Sequence, residues 1–381
     1  MYVTWRLSEC QRNSFKALPE GPNSGVLVIQ DEESKPTCCF GSCYDGLLKG
    51  LPFPQDAKLT VTYTSGAGQT RTTYRDPVMF IPVLDHHPSS NRYYIIQRRG
   101  KHSGKASVSA REEERVPYCF CFSYVPDAKP RQADPYDINQ QFEIQPKPSS
   151  RRYFATTVAP GGIPPKFLKR NWTVAYSNSQ DFGLVDDAKG IDTKVRSELP
   201  SDLNTSVVVG KWYVPFIFVK EREAKFQIKS SAYYIMTLKQ RWEEVYSCEN
   251  DNHNEEEEEG EVVVDVDVDV ETKVVKLEGQ VTKLRETSGG GVVWYEREDK
   301  KIGLGSVVVE RMKWEEEKFG WLDNGGKSNI KRCEKFNGGG SNWKSYKCYV
   351  LVESFELKRM DGILVLTYEF KHVEKLKSKW D

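Results

Sequence analysis

Three cysteines near the start of the chain form its most chemically suggestive cluster. Cys38 and Cys39 are adjacent, and Cys43 follows four residues later. Thiolates bind zinc and can carry acyl chains, so the cluster could hold a metal with Cys10 or a histidine, or anchor a lipid. However, adjacent side chains on an extended backbone point apart, and no Cys-x-x-Cys pair is present. We therefore expect these cysteines to pack as small side chains, with metal binding and acylation as alternatives.

A run of basic side chains offers a second candidate site. No acidic residue lies between positions 86 and 110, and Tyr93 and Tyr94 precede the basic positions. Cationic groups beside aromatic rings are typical of surfaces that bind phosphate or RNA, so the run predicts contact with phosphate groups, RNA or lipid headgroups. The alternative is a hairpin turn that its charges keep soluble. The residues concerned are Arg98, Arg99, Lys101 and Lys105.

The sequence lacks the local motifs of several enzyme classes. It contains no Gly-x-Ser-x-Gly elbow, no His-Glu-x-x-His helix and no complete glycine loop for phosphate or a dinucleotide. Asp265, Asp267 and Asp269 alternate with valines, but a calcium loop needs a glycine turn and a distal bidentate carboxylate. A solvated strand face is the better interpretation of these aspartates. We therefore expect no cofactor, and an enzyme only if residues distant in sequence assemble its site.

The composition limits the class of protein. Lysine plus arginine and aspartate plus glutamate both total 55, so bulk charge argues against a nucleic acid as partner. A length of 381 residues predicts two or three domains. We find no secretory signal and no apolar run long enough for a membrane helix. These features predict a cytoplasmic or nuclear protein whose cysteines are mostly free thiols.

Short alternating runs between turn-forming residues predict the strands that would position these sites. The runs at residues 92–97 and 105–110 should form a hairpin that carries the basic residues. The runs at residues 349–357 and 363–370 should form another, and Asp361-Gly362 between them favours a primed turn.

The same texture predicts the fold class. We expect a mainly β protein with layered antiparallel sheets, sandwich- or barrel-like, and long loops. One or two short helices should accompany the sheets. The helix candidates are residues 192–199, which stop at Pro200, and residues 373–379.

Changes in composition divide the chain into segments. A weak similarity between residues 59–64 and 172–177, continued downstream, fits a duplicated β module or strand patterns that recur in any β protein. Five consecutive glutamates at 255–259 predict disorder. The predicted segments are a turn-rich N-terminal arm (1–56), a first β module (57–148), a second β module (149–248), an acidic disordered linker (249–262) and a C-terminal β region (263–381).

Several stretches of the chain resemble a known family. They include Met1-Tyr2-Val3-Thr4, Glu20-Gly21-Pro22-Asn23-Ser24-Gly25 and Thr37-Cys38-Cys39-Phe40-Gly41, and the likeness continues in order to about Trp321. The sequence is similar to a plant-restricted family of uncharacterised proteins, domain of unknown function 1262 (DUF1262). The resemblance implies a land-plant origin and supplies no activity, cofactor or site residue.

Three functions remain open at the level of sequence. The first is a non-enzymatic binding or scaffold protein of plant cells with a protein partner, tied to stress or defence. The second is a β protein that contacts the membrane surface through the basic run and an acylated cysteine. The third is an enzyme with a site assembled only in space. The oligomeric state is not predicted.

Overall fold

The computed structural model describes most of the chain. Residues 13–15, 35–36, 39–42, 45, 67–69, 120–121, 177–181, 251–262, 287–290, 299, 324 and 337–342 lie outside the described part. Strands dominate what is described, so the predicted mainly β class is confirmed.

The strands and helices follow one another along the whole chain. The first strands are β1 (Tyr2–Arg6), β2 (Gly25–Ile29), β3 (Thr37–Cys38), β4 (Cys43–Tyr44), β5 (Leu59–Ser65), β6 (Thr72–Pro82), β7 (Arg92–Gln97), β8 (Ala110–Arg111), β9 (Val116–Cys119), β10 (Phe122–Tyr124), β11 (Gln141–Pro146), β12 (Tyr153–Thr157), β13 (Gly162–Ile163) and β14 (Thr173–Tyr176). The later strands are β15 (Gly190–Ile191), β16 (Val207–Pro215), β17 (Val219–Lys220), β18 (Tyr233–Glu249), β19 (Val263–Glu271), β20 (Lys273–Leu277), β21 (Gln280–Val281), β22 (Lys283–Glu286), β23 (Val292–Arg297), β24 (Lys300–Gly305), β25 (Lys327–Lys335), β26 (Ser345–Arg359) and β27 (Leu364–Trp380). The α-helices are α1 (Leu7–Arg12), α2 (Lys166–Lys169), α3 (Thr193–Glu198), α4 (Ala224–Ser230) and α5 (Ser306–Lys318).

The largest sheet has nine strands and takes elements from both ends of the chain. Its order is β2-β1-β16-β18-β26-β27-β20-β21, and β15 also pairs with β16. Its neighbouring strands are antiparallel, except that β1 and β2 run parallel. The sheet therefore joins the expected N-terminal arm to the C-terminal region.

A six-stranded antiparallel sheet forms the second large layer. Its order is β12-β11-β7-β6-β5-β14, and the predicted boundary between the first and second β modules falls between β11 and β12 of this sheet. The segments that resemble each other in sequence do not form equivalent units. Residues of β14 pair with β5 in this sheet, whereas Tyr233 and Tyr234 begin β18 of the nine-stranded sheet.

Smaller antiparallel sheets complete the architecture. One has four strands in the order β17-β24-β23-β22. The others are the pairs β3–β4, β8–β13, β9–β10 and β19–β25.

The strand alternation explains how these layers pack. In the six-stranded sheet, Ile81 and Ile96 contribute to a core shared with the nine-stranded sheet. Their neighbours Phe80 and Ile95 point into a separate core around Trp172, because successive side chains leave opposite faces of a strand. A third core lies where the valines of β19 meet the far ends of β26 and β27.

The valine–aspartate segment confirms the alternation argument. It forms β19, in which Val264 and Val266 are buried while Asp265 is exposed. The predicted linker 249–262 lies outside the described residues, apart from Glu249 at the end of β18 and Asn250.

One of the two predicted helices forms and the other does not. Asp192 caps α3 by accepting hydrogen bonds from the backbone amides of Lys194 and Val195, each at 3.1 Å. The predicted helix at 373–379 is wrong, because this stretch continues β27 opposite β26. There the ring of Trp380 lies 4.5 Å from that of Tyr346, so tertiary packing overrides local preference. The described residues contain five α-helices, more than the one or two expected.

The hairpin predicted for the basic run is only partly formed. β7 is present, but the stretch 105–110 is reduced to an isolated bridge at Ala106 and the short β8. On one side this stretch follows β7 over a few residues, where the amide of Gln97 donates to Lys105 at 3.0 Å and that of Ser107 donates to Ile95 at 2.8 Å. On its other side Ala106 exchanges both backbone hydrogen bonds with Arg131, at 2.7 and 3.0 Å.

The C-terminal hairpin is confirmed, but its turn differs from the prediction. Of the loop residues Met360, Asp361 and Gly362, only Gly362 has a positive φ, at 88°. The amide of Gly362 donates to the carbonyl of Arg359 at 2.9 Å. A primed turn would need a positive φ at Asp361 as well, so this is a three-residue loop in which glycine takes the left-handed position.

We expect Gly362→Val to lower the free energy of unfolding by about 1 kcal/mol or more, because a β-branched residue is strained at positive φ. A Cβ at this position would meet no atom within 4 Å, so crowding adds nothing. Urea denaturation measures the change. Gly362→Asn is the control and should lose less, since asparagine tolerates the left-handed region. Equal stability of Gly362→Val and the native protein would contradict the turn.

Candidate binding cleft and its buried ion network

Residues from five separate elements meet in a buried network of charged groups. Arg196 comes from α3, Glu316 from α5, Glu353 from β26 and His372 from β27, while Gln240 comes from β18. The side chain of Arg196 is 6% exposed, and those of Glu316, Glu353 and His372 are 0%, 0% and 1% exposed. The network thus ties two helices to three neighbouring strands of the nine-stranded sheet.

The guanidinium of Arg196 is the centre of this network. Its Nε donates to Oε1 of Glu353 at 2.9 Å, and Nη2 donates to the second oxygen of the same carboxylate. Nη2 also donates to Oε1 of Glu316 at 3.2 Å, and Nη1 to the carbonyl of Glu315 at 3.1 Å. Gln240 completes the shell by donating from Nε2 to Glu353 at 2.8 Å. Buried charges require such partners, because each is costly to remove from water.

The network is electrically neutral when one of its two glutamates is protonated and His372 carries no charge. Burial, followed by the negative charge of Glu353, raises the pKa of Glu316 well above its usual range. Burial by itself also raises the pKa of Glu353, but hydrogen bonds from His372 and Arg196 outweigh it and hold that pKa below normal. Burial lowers the pKa of His372. We therefore assign a protonated Glu316, an ionised Glu353 paired with Arg196, and a neutral His372 whose Nε2 lies 2.8 Å from Glu316.

Two carboxylates and an imidazole this close could also hold a metal ion. Ligand atoms of Glu316, Glu353 and His372 all lie within 4.8 Å of one another. However, Arg196 already lies within hydrogen-bond distance of both carboxylates and supplies the positive charge there. A divalent cation would have to share the space with the guanidinium at the cost of strong repulsion. The guanidinium of Arg196 therefore takes the place that a metal ion would occupy between the two carboxylates.

A cleft of about 370 Å³ opens beside this network. It lies where the N-terminal arm, the start of α3 and the helix α5 meet. Three aromatic residues and four cationic ones dominate the lining of this aromatic cleft, namely Trp212, Trp314, Phe319, Lys189, Arg196, Arg311 and Lys318. The carboxyl groups of Glu316 and Glu353 do not line it, so Arg196 is the member of the network that reaches the cleft.

Cationic groups rest on the aromatic rings around the cleft. The guanidinium of Arg196 lies 4.1 Å from the ring centre of Phe319, and the ammonium of Lys375 lies 4.3 Å from it. Arg311 is 5.0 Å from the ring of Trp314. Such contacts stabilise a desolvated cation. They also hold the rings in one orientation.

The N-terminal arm contributes one wall of the cleft. Glu20 forms an ion pair of 2.5 Å with Lys318 of α5, and Ser24 accepts a hydrogen bond from Arg311. At Gly21 a Cβ would lie 2.5 Å from the indole of Trp314. Glycine is therefore required for the arm to lie against this ring.

The residues proposed from sequence lie elsewhere. Arg98 and Arg99 line a different cleft, next to β6, while Lys101 and Lys105 are exposed on the adjoining turn. The backbones of Cys38 and Cys43 pair across β3 and β4, and Cys39 lies outside the described residues.

The network itself was missed by the sequence analysis, although a signal existed. Glu353 interrupts the otherwise apolar run of β26, and such a residue must find a partner when buried. Helix α5 was missed because charged Arg311, Glu315 and Glu316 occupy its buried side, so it shows no regular apolar stripe.

Part of the chain is similar to a family of proteins. Residues 20–120 match the model described as "Protein of unknown function (DUF1262)". That stretch includes the later part of the arm and three of the six strands of the six-stranded sheet, β5, β6 and β7, and the match stops well before α3 and α5. No curated protein matches the sequence.

The chain is also distantly similar to a solved structure. It is described as "Crystal structure of Cry35Ab1", with 11% sequence identity and a TM-score of 0.48. The alignment covers 86% of this chain and 90% of the other. A likeness this distant carries no argument about function.

We expect Arg196→Met to lower the free energy of unfolding by about 3–5 kcal/mol, because it leaves Glu353 buried without its counter-charge. Guanidinium or urea denaturation measures the loss. Arg6→Met is the control, since Arg6 pairs with Asp186 at the surface and its side chain is 57% exposed. The control should change stability little. Similar small losses in both variants would contradict the central role of Arg196.

The raised pKa of Glu316 predicts how stability varies with pH. Above the ordinary pKa of glutamate the folded protein keeps this proton while the unfolded chain releases it, so this group's contribution falls as pH rises. One such proton changes stability by up to about 1.4 kcal/mol per pH unit. In Glu316→Gln this dependence is absent.

The free energy of unfolding of Glu316→Gln relative to the native protein should therefore increase between about pH 5 and about pH 7. Urea denaturation across this range tests the shift. Glu317→Gln, at the exposed neighbouring position, should show no such trend. A difference between Glu316→Gln and the native protein that stays constant with pH would contradict the assignment.

Proposed function

We propose that this protein is a non-enzymatic binding protein whose cleft between the N-terminal arm and α5 takes a small, largely apolar ligand with an acidic group. The observation that carries the proposal is the lining of the cleft. Trp212, Trp314 and Phe319 surround about 370 Å³, with arginine and lysine groups beside them. Small-molecule sites typically combine an apolar volume of this size with a few polar groups that orient the ligand.

The cationic groups of the cleft differ in availability. Arg196 and Arg311 are committed to buried carboxylates, so they fix the shape of the site. Lys189 and Lys318 are half exposed, and their partners Asp186 and Glu20 form surface ion pairs. Surface pairs contribute little to stability, so an acidic group of a ligand can replace Glu20 as the partner of Lys318 at small cost.

The geometry favours binding over catalysis. The groups with strongly shifted pKa values, Glu316 and Glu353, are sealed from solvent behind Arg196. Among the described residues that line the cleft, the carboxylates are Glu20, which is exposed, and Glu315, which is paired with Arg311. Glu315 is held by Arg311 and Glu20 pairs with Lys318, so these carboxylates are engaged in ion pairs and are not aimed at a nucleophile. No helix in the described part of the chain is long and apolar enough to cross a membrane.

The cellular setting forms part of the same proposal. The resemblance of the N-terminal stretches to DUF1262 supports a plant protein. Cys10, Cys248 and Cys348 are free thiols, as is usual in the cytoplasm or nucleus. We extend the proposal to include a protein partner and a role in stress or defence.

The cleft can be tested with 8-anilinonaphthalene-1-sulfonate, an apolar aromatic anion whose fluorescence rises on binding. We expect saturable binding to the full chain. In Trp314→Leu the affinity should fall at least about tenfold, because the ligand loses an aromatic contact.

Trp294→Leu is the matched control. Its indole is also half-buried and lies 4.6 Å from a lysine ammonium, but outside the cleft. Far-ultraviolet circular dichroism establishes that both variants are folded. Equal binding by the two variants would rule out this cleft as the site.

A further inference from the structure

A second cleft, of about 450 Å³, lies between β6 and the turn that follows β7. Three guanidinium groups line it, those of Arg75, Arg98 and Arg99, together with the backbone at Gly100. Asp76 is the carboxylate in its lining, and burial raises the pKa of that group. The cleft is therefore strongly cationic, in contrast to the aromatic cleft at α5.

The three arginines of this cleft differ from Arg196 and Arg311 of the aromatic cleft, which are paired with glutamates. Within the described part of the chain, none of them forms an ion pair with an aspartate or glutamate. Burial, followed by the charge of Arg99, lowers the pKa of Arg98. Guanidinium groups gathered without counter-charges repel one another, and bound anions relieve that repulsion.

The backbone holds Arg98 in position. Its amide donates to the carbonyl of Pro77 at 2.9 Å, and its carbonyl accepts from the hydroxyl of Ser103 at 3.1 Å. Its guanidinium lies 5.3 Å from the ring centre of Phe182. A cation that is already oriented loses little conformational entropy when it binds.

The turn next to the cleft adds to the positive field. Lys101 and Lys105 are exposed on it, and with Lys129 they add to the effect of burial in lowering the pKa of His102. At Gly104, with φ at 80°, a Cβ would lie 2.5 Å from the backbone of Ala224, so the turn packs tightly against α4. The basic groups are thus carried by a supported turn.

We propose that this cleft binds a phosphate monoester group through Arg75, Arg98 and Arg99. Phosphate presents several acceptor oxygens and a charge near −2, and planar guanidinium groups match it through paired hydrogen bonds. The phosphate belongs either to a soluble metabolite or to a lipid headgroup. The proposal stands apart from the function of the aromatic cleft, because the two clefts share no lining residue.

The test begins with a titration of inorganic phosphate into the full chain. Binding is monitored by calorimetry or by the amide signals of the turn in nuclear magnetic resonance. We expect saturable binding in the millimolar range that weakens as salt is added. Arg98→Ala/Arg99→Ala should reduce the affinity at least about tenfold. Arg115→Ala/Arg152→Ala, which removes the same charge from exposed positions elsewhere, should bind as the native protein does.

Arg99→Ala alone guards against misfolding of the double variant, because Arg99 is exposed and its loss leaves the core intact. It should weaken phosphate binding by several-fold. Absence of saturable phosphate binding to the native chain would overturn the proposal. So would equal affinity in the double variant and its charge-matched control.

Vesicle flotation distinguishes the two sources of the phosphate. Phosphatidylcholine vesicles with phosphatidic acid present a monoester, and those with phosphatidylserine present only diesters of similar negative charge. Selective flotation with phosphatidic acid that requires Arg98 and Arg99 supports a lipid headgroup. Binding of inorganic phosphate without flotation supports a soluble ligand. Equal flotation with both lipids, independent of these arginines, would indicate a general charge effect and overturn the proposal.

Discussion

One buried guanidinium determines how the elements around it are arranged. Arg196 lies between Glu316 of the longest helix and Glu353 of the central hairpin, and it reaches Glu315 through a backbone carbonyl. Removing these charged groups from water is unfavourable unless they are paired, so the network favours the geometry in which Arg196 keeps its hydrogen bonds to both glutamates. Apolar packing would allow α5 to slide along the sheet. The ion network fixes its position and its rotation.

The two clefts differ in whether their arginines are paired with carboxylates among the described residues. At the aromatic cleft, the arginines are neutralised by buried glutamates and serve as walls, while exposed lysines remain available at the edge. At the cleft beside β6, the arginines have no carboxylate partner among the described residues and face the solvent-filled space. The first site is suited to a ligand that offers apolar surface. The second is suited to a ligand that offers charge.

The sequence predicted several features that depend on neighbours along the chain. Alternation identified β19, and Asp192 marked the start of α3. It could not predict the ion network, whose members come from residues 196 to 372 and meet only after the sheets form. The strand at residues 373–379 was mistaken for a helix because its partner strand and the ring of Tyr346 lie outside any local window. The turn at Gly362 was located correctly, but its type depends on Asp361, whose φ the sequence leaves open.

The long hairpin of β26 and β27 has a consequence for the order in which the chain assembles. Its strands of 15 and 17 residues are joined by a loop of a few residues, so bringing them together costs little loop-closure entropy. Arg196 and Glu353 are 157 positions apart, and joining them costs far more. Loop-closure entropy thus favours a folding order in which the hairpin forms first. Its residues Glu353 and His372 are then in place when α3 and α5 dock later. The aromatic cleft comes into existence only with that last docking step.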